Sequence, residues 1–240
     1  RMIITMGVLP STRDYLKKTD NYKQMKNTII ILAFVILTGC TKKDPNLMFE
    51  QEIKTGWTFN QQGENSWLPA EVPGTVHTDL LANNKIKDPF YRLNEHDLQW
   101  IDKVDWEYKT TFNVEKSVLQ KDRVELDFKG LDTYAEVFVN KEKVLEADNM
   151  FREWQADIKE KLNVGDNELH IVFRSPINEG LKKYDTNSFV YPGAENDQAE
   201  TGKVEDGKRV SIYTRKAGYH FGWDWGPRLV SSGIWRPITL

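Results

Sequence analysis

An all-β fold, two antiparallel sheets packed as a sandwich with one short helix, is predicted by three features of this sequence. Several segments alternate apolar and polar residues with a period of two, which on a strand sends one set of side chains to a buried face. These segments are short and bounded by Gly, Asn and Asp, the residues that tolerate tight turns. No strand–helix–strand alternation, the mark of a parallel sheet, occurs along the chain.

Taken in order, the first regular element is a short helix near Thr75 to Ala82, with Thr75 as N-cap after Pro73-Gly74 and with Val76, Leu80 and Leu81 facing inward. Trp106 to Val114 then alternates cleanly, placing Trp106, Tyr108, Thr110, Phe112 and Val114 on one face. Val124, Leu126 and Phe128 form a second alternating strand that stops at Gly130. Tyr134 to Val139 is apolar on both faces apart from Glu136, as in a strand covered from both sides, and Asn140-Lys141 turns it towards Val144-Leu145. After the turn Val164-Gly165-Asp166-Asn167, Leu169, Ile171 and Phe173 alternate again, and Ile234 to Leu240 closes the chain. Strands at this spacing suit a jelly-roll or an immunoglobulin-like sandwich. The stretch Pro176 to Gly222 lacks periodicity and is expected to be a long loop, of a length that is usually functional or disordered.

Residues 25 to 39 read as an export signal. Lys26 precedes nine consecutive apolar residues, Ile29 to Leu37, and then Thr38-Gly39-Cys40. Nine falls far short of the roughly 20 that a membrane-spanning helix needs. Leu37-Thr38-Gly39-Cys40 resembles the lipobox of bacterial lipoproteins, whose Cys becomes the lipidated first residue, and Cys40 is the only Cys of the chain. The expected organisation is residues 1–24 as an upstream non-native segment, 25–39 as the lipoprotein signal, 40–55 as a tether and 56–240 as the β-sandwich. A membrane-anchored protein, periplasmic or at the cell surface, follows from that reading.

Composition narrows the partners. The 240 residues carry 33 basic and 36 acidic side chains, and without residues 1–39 the net charge moves from -3 to -7, so the basic footprint that selects nucleic acid is missing. One Cys excludes an internal disulfide, and four scattered His offer no zinc ligand set. Phosphate-binding, dinucleotide-binding and serine-hydrolase motifs are absent, so no cofactor and no metal are expected.

Chemistry concentrates in Arg215-Lys216-Ala217-Gly218-Tyr219-His220-Phe221-Gly222-Trp223-Asp224-Trp225-Gly226-Pro227-Arg228, with four aromatics, a His, an Asp and three cations among three glycines. Indole faces cover the C–H surface of a pyranose, and a carboxylate accepts hydrogen bonds from neighbouring hydroxyls, as a sugar pocket requires. The alternative is that Trp223 and Trp225 plug the end of the sandwich while Asp224 caps a turn.

This run, with Ser232-Gly233-Ile234-Trp235-Arg236-Pro237, resembles the N-terminal sugar-binding domain of the β-mannosidases of glycoside hydrolase family 2. So do Val72-Pro73-Gly74-Thr75-Val76-His77-Thr78-Asp79-Leu80-Leu81, Asp88-Pro89-Phe90-Tyr91, Trp100 and Trp106-Glu107-Tyr108. The resemblance runs from about Gly56 to Leu240. It implies a jelly-roll (galactose-binding-like) sandwich lying against a (β/α)8 barrel, with the W-D-W loop reaching the pocket for a terminal β-mannoside. Carried over, Asp224 would hydrogen-bond sugar hydroxyls, Trp223 and Trp225 would shape the pocket wall, and Arg228 would be structural, pairing with Asp224. His77 and His220 match the motif as structural histidines rather than ligands.

The retaining mechanism needs two carboxylates about 5 to 5.5 Å apart. In the family both are barrel glutamates, and the chain stops where the first domain ends, so this segment by itself is expected to be inactive. Asn94-Glu95, Asn167-Glu168 and Asn178-Glu179 repeat the family's Asn-Glu dipeptide but read as decoys, and Asp102 with Asp105, or Glu205 with Asp206, pair only on paper. The competing readings are a stand-alone lipid-anchored carbohydrate-binding module, the N-terminal domain of another family 2 glycosidase, and a purely architectural domain.

Overall fold

The alternating segments of the sequence become the centre of the molecule. In the computed structural model, which describes residues 48–187, 189, 208–223 and 225–240, strand β3 (Trp106–Val114) lies antiparallel to β9 (Gly165–Arg174) along nine residue pairs, from Trp106 opposite Phe173 to Val114 opposite Gly165. The predicted face is the buried one: Trp106, Tyr108, Thr110, Phe112 and Val114 are all buried, and Leu169, Ile171 and Phe173 meet them from β9. Strand β9 begins inside the predicted turn, at Gly165, where a φ of +95° suits glycine.

Around this pair the chain builds a six-stranded sheet in the order β2-β1-β3-β9-β6-β7, adding β1 (Thr58–Gln61), β2 (Leu68–Pro69), β6 (Tyr134–Val139) and β7 (Glu142–Ala147). Asn140 and Lys141, both at positive φ, form the two-residue turn between β6 and β7. A three-stranded sheet in the order β11-β4-β8 comprises β4 (Glu125–Phe128), β8 (Trp154–Asp157) and β11 (Ile238–Thr239). A short pair joins β5 (Leu131–Asp132) to β10 (Gly233–Ile234). Phe59, Tyr108, Phe112 and Phe173 from the larger sheet and Leu126, Phe128 and Ile238 from the smaller one belong to a single apolar core. The protein is thus mostly β, with antiparallel sheets facing each other across that core. One edge is completed by the segment 51–53, whose backbone pairs with 238–240: Gln51 N–H donates to Leu240 O and Leu240 N–H to Gln51 O, each at 2.8 Å, and Ile53 N–H donates to Ile238 O at 2.9 Å.

Helix α1 (Val76–Ala82) forms where expected, capped by Thr75, which exchanges hydrogen bonds with Thr78. Its inward face differs from the prediction. Leu81 is exposed, whereas His77 and Asp79 are buried with Val76 and Leu80. A buried carboxylate needs donors, and Asp79 has them: the Tyr108 hydroxyl at 2.7 Å and the Glu71 N–H at 2.9 Å.

The expectation of a single short helix is corrected twice. A four-residue helix α2 (Lys116–Leu119) follows β3, and α3 (Pro176–Thr186) occupies eleven residues of the stretch read as loop. The Ser175 side chain caps α3 by accepting from Asn178 N–H at 3.0 Å, and Pro176 sits at its first turn, where a missing N–H costs nothing. The helix buries little more than Ile177 and Gly180, and a Cβ on Gly180 would come within 2.7 Å of Val210 Cβ, so only glycine allows that approach. Ile177, Val210, Phe221 and Val230 make a small apolar cluster separate from the main core.

Candidate functional site

The residues singled out at 215–228 cross one end of the sandwich, held by polar groups rather than by a sheet. Ser211–Tyr213 and Gly218–Phe221 are single 3-10 turns, and Trp223 with Gly226 closes a tight hairpin: Trp223 N–H donates to Gly226 O at 3.0 Å and Gly226 N–H to Trp223 O at 3.3 Å. Gly222, just before the hairpin, has a φ of +80° that a side chain would resist. Trp225 is 82% exposed at the tip and Trp223 is 38% exposed, so neither plugs the sandwich. Asp224 lies outside the described residues, as does Cys40.

Two cations anchor the loop. The Lys216 ammonium has no exposure and donates to the Asp132 carboxylate and, at 2.6 Å, to Ser231 O. Burial pulls it below the usual lysine range, and Asp132 pulls the other way. Arg228 is also fully buried; its guanidinium pairs with Asp102 and donates to Gln99 Oε1 at 2.8 Å. Its main chain is bracketed too, with Arg228 N–H donating to Glu95 Oε1 at 3.1 Å and Gln99 Nε2 donating to Arg228 O at 2.9 Å. Asp102 is therefore an established partner of Arg228; the expected pairing with Asp224 falls on a residue outside the described set.

Both histidines serve this anchoring. His77 Nδ1 lies 3.0 Å from Ser231 Oγ, and burial, with Lys216 and His220 nearby, pushes its pKa down to about 4. His220 closes the neck of the loop: its carbonyl accepts from Leu229 N–H at 3.0 Å while Nδ1 lies 3.3 Å from Leu229 O. That second contact needs a proton on Nδ1. Burial, then Lys216, bring His220 to about 4, so near neutral pH the ring is uncharged.

The decoys resolve into structural roles. Glu95 receives the Arg228 N–H, Glu168 pairs through its backbone with Asn140, and Glu179 joins Lys182 and Arg174. Asp102 faces Arg228, whereas Asp105 accepts from Ser175 N–H at 2.6 Å, so the two carboxylates serve different partners. Glu205 and Asp206 lie outside the described residues. Among the described residues no cluster of three or more His, Cys, Asp and Glu side chains could hold a metal ion, and no helix is long and apolar enough to cross a membrane.

Periodicity and composition do not reveal which segments surround the loop. The segment carrying Glu95 and Gln99 also exposes Phe90, Tyr91 and Leu93, and Phe151 is exposed beside Met150, whose N–H donates to Arg215 O at 3.0 Å. Tyr219 and Trp225 are exposed on the loop itself. A lone exposed aromatic is ordinary; that these segments adjoin the loop is known only from the hydrogen bonds that join them to Arg215 and Arg228.

Residues 57–236 match the family model described as the glycosyl hydrolase 2 galactose-binding domain-like domain. Among known proteins, the chain is 38% identical over 199 residues to beta-mannosidase B of Aspergillus terreus, covering 80% of this chain and 22% of that protein. It is 37% identical over 195 residues to beta-mannosidase B of Aspergillus niger, covering 78% and 22%. Among solved structures, the β-D-mannosidase of Dictyoglomus thermophilum superposes with a TM-score of 0.71 at 36% identity, over 80% of this chain and 22% of that one. An exo-chitosanase of Amycolatopsis orientalis shares the fold at a TM-score of 0.53 and 24% identity, over 80% and 20%. The chain thus spans about a fifth of the length of the relatives it matches.

Proposed function

The chain belongs to the glycosyl hydrolase 2 galactose-binding domain-like family, and from that premise we propose that it is the N-terminal domain of an exo-acting, retaining β-mannosidase that removes terminal non-reducing β-D-mannose. The observation that carries this reading is the identity of 36% to 38% with proteins named as β-mannosidases, sustained over 80% of the chain. In this reading the domain is a jelly-roll whose loop end lies against a catalytic barrel, and the barrel supplies the two carboxylates of the retaining mechanism. Trp223 and Trp225 wall the sugar pocket and Asp224 accepts hydrogen bonds from the mannose hydroxyls. The exposed indole of Trp225 supports that role, since a side chain left in solvent is free to meet a ligand. The exposed aromatics around the loop suit a surface that the barrel covers.

In the protein that includes the barrel, Asp224→Ala is expected to lower kcat/KM on an aryl β-mannoside by about two to four decades, from two hydrogen bonds to a charged group at roughly 1.5 to 3 kcal/mol each. Asp224→Asn should lose less. A change within about threefold for Asp224→Ala, below ~0.7 kcal/mol, with an unaltered melting temperature, would overturn the pocket role. Aryl β-glucosides and β-galactosides tested alongside distinguish the mannosidase from another family 2 glycosidase.

We further propose that the protein is an exported lipoprotein anchored through Cys40. Stable attachment needs more than one acyl chain, which a lipidated N-terminal Cys provides. Cys40→Ala should abolish incorporation of labelled palmitate in a bacterial host, and labelled lipid persisting in the variant would refute the anchor.

A further inference from the structure

The loop that carries Trp223 and Trp225 has little packing of its own. Between Lys216 and Arg228, Phe221 is the one side chain in the small apolar cluster, and Trp225 stands 82% exposed at the far end. Whatever fixes the indoles must act at the two ends of the loop, and there the protein has placed charges instead of apolar side chains. Buried ion pairs rarely stabilise a fold better than well-packed apolar residues of similar volume. Their distinguishing property is direction. The Lys216 ammonium is fixed between the Asp132 carboxylate on β5 and Ser231 O, and Arg228 is held through its guanidinium, its N–H and its carbonyl by Asp102, Gln99 and Glu95. The two anchors attach to separate parts of the sandwich, one at 131–132 and the other at 95–102, so together they fix both the location and the tilt of the loop between them. The His220–Leu229 pairing then closes the neck.

We propose that Lys216 and Arg228 are positioning residues, which through their buried partners Asp132 and Asp102 set the placement of the Trp223–Trp225 tip. This inference rests on the assignment of that tip to the sugar pocket, and it assigns to two residues outside the pocket the task of aiming it.

The test uses the 240-residue chain labelled with 5-fluorotryptophan, in which the eight Trp signals are assigned by single Trp→Phe substitutions and read by 19F NMR. Lys216→Met and Arg228→Met each leave a buried carboxylate without its cation and are expected to lower the melting temperature. The decisive variants are the neutral pairs Lys216→Met with Asp132→Leu and Arg228→Met with Asp102→Leu, which remove both charges and restore stability. In each neutral pair the Trp223 and Trp225 signals should be displaced or broadened beyond their wild-type line width, while those of Trp57 and Trp106 in the main core remain in place. Return of the Trp223 and Trp225 signals to their wild-type positions together with the melting temperature would overturn the proposal, because the pairs would then be merely stabilising. Failure of the neutral pairs to fold would overturn it likewise. No sugar enters this measurement, so the two failures are told apart: failure of the positioning shows in the 19F signals, and failure of the pocket reading shows in the Asp224→Ala kinetics.

Discussion

On one side of helix α1, Asp79 reaches down to Tyr108 on the central sheet; on the other, His77 reaches across to Ser231 and the Lys216 anchor. Two residues apart on a helix point about 200° from each other, so the two side chains face two regions built on different principles. Towards the sheet, apolar side chains alternate along β3 and β9 and a single carboxylate is tolerated because two donors meet it. Towards the loop, four buried charged residues, Asp102, Asp132, Lys216 and Arg228, are gathered with two uncharged histidines, and the large side chains of Tyr219 and Trp225 are left outside. The core region gains stability from area removed from water, which is indifferent to direction; the loop region gains a defined geometry from contacts that are not.

The largest effect belongs to the core. Tyr108→Ala, at a fully buried ring, is expected to destabilise by on the order of 3–5 kcal/mol, measured by urea unfolding. It should do so as one cooperative transition seen equally by all Trp signals. If loop signals alone responded, the division drawn between the regions would be misplaced.

Acid should pull the two regions in opposite directions. His77 and His220 titrate near 4 in the folded protein against an ordinary value of 6.5, so the unfolded chain binds more protons between those limits. Their contribution is complete above pH 6.5 and is lost as the pH falls towards 4, up to about 3 kcal/mol for each. Asp79 is raised, mainly by burial, to about 6 from 3.8, so its carboxylate opposes folding above pH 6 and that opposition fades on acidification through the same interval. Calorimetry at pH 7.0 and 4.5 should therefore show a net fall in melting temperature. His77→Asn, which keeps a polar atom towards Ser231, should reduce that fall, and Asp79→Asn should enlarge it. The opposite order would refute the assignment of these groups to their regions.

Where the regions meet, Gly233 passes the start of α1 so closely that a Cβ would lie 2.7 Å from Gly74 O and 2.8 Å from Thr75 Cα. Gly233→Ala should cost about 1–3 kcal/mol through forced displacement of that backbone, visible as a lower urea midpoint. No loss would mean that the junction yields. At the opposite extreme, Trp225→Ala should change stability by no more than about 0.5 kcal/mol, since its ring is exposed, while in the protein with its barrel it should raise KM for an aryl β-mannoside. A large loss of stability instead would return Trp225 to a packing role.

The same division explains what could be read from the sequence. The strands β3 and β9 announce themselves because a period of two needs no knowledge of the partner, and β6 does so as a short apolar run between turn residues; β3 and β6 have the predicted bounds. Helix α3 escaped because its buried stripe is Ile177 and Gly180, too thin to stand out among Lys182, Lys183 and Asp185, and its contact, Val210, comes thirty residues after Gly180. The loop stands out by its composition and by its resemblance to the family motif. The partners of its anchors are not legible as such, because Asp132, Asp102 and Glu95 precede Lys216 and Arg228 by 84, 126 and 133 positions: Glu95 reads as part of an Asn-Glu dipeptide, Asp102 as a neighbour of Asp105, and Asp132 as an ordinary solvent-facing charge. Asp102 pairs on paper with Asp105, yet the nearer neighbour in sequence is the wrong one in space: Asp102 faces Arg228 and Asp105 faces Ser175.

The pairing of 51–53 with 238–240 bears on how the domain withstands pulling. Gln51 and Leu240 sit opposite each other at the end of this short ladder, so the chain enters and leaves it at the same place. Tension applied between Phe49 and Leu240 would load the outermost pair of hydrogen bonds first and the inner one only after it gives way, as a zip opens, instead of loading all of them at once in shear. Peeled in this way, the segment 51–53 would detach from β11 at modest force, while β3 and β9 at the centre of the larger sheet stayed paired. This ladder is therefore a mechanical fuse at the edge of the smaller sheet.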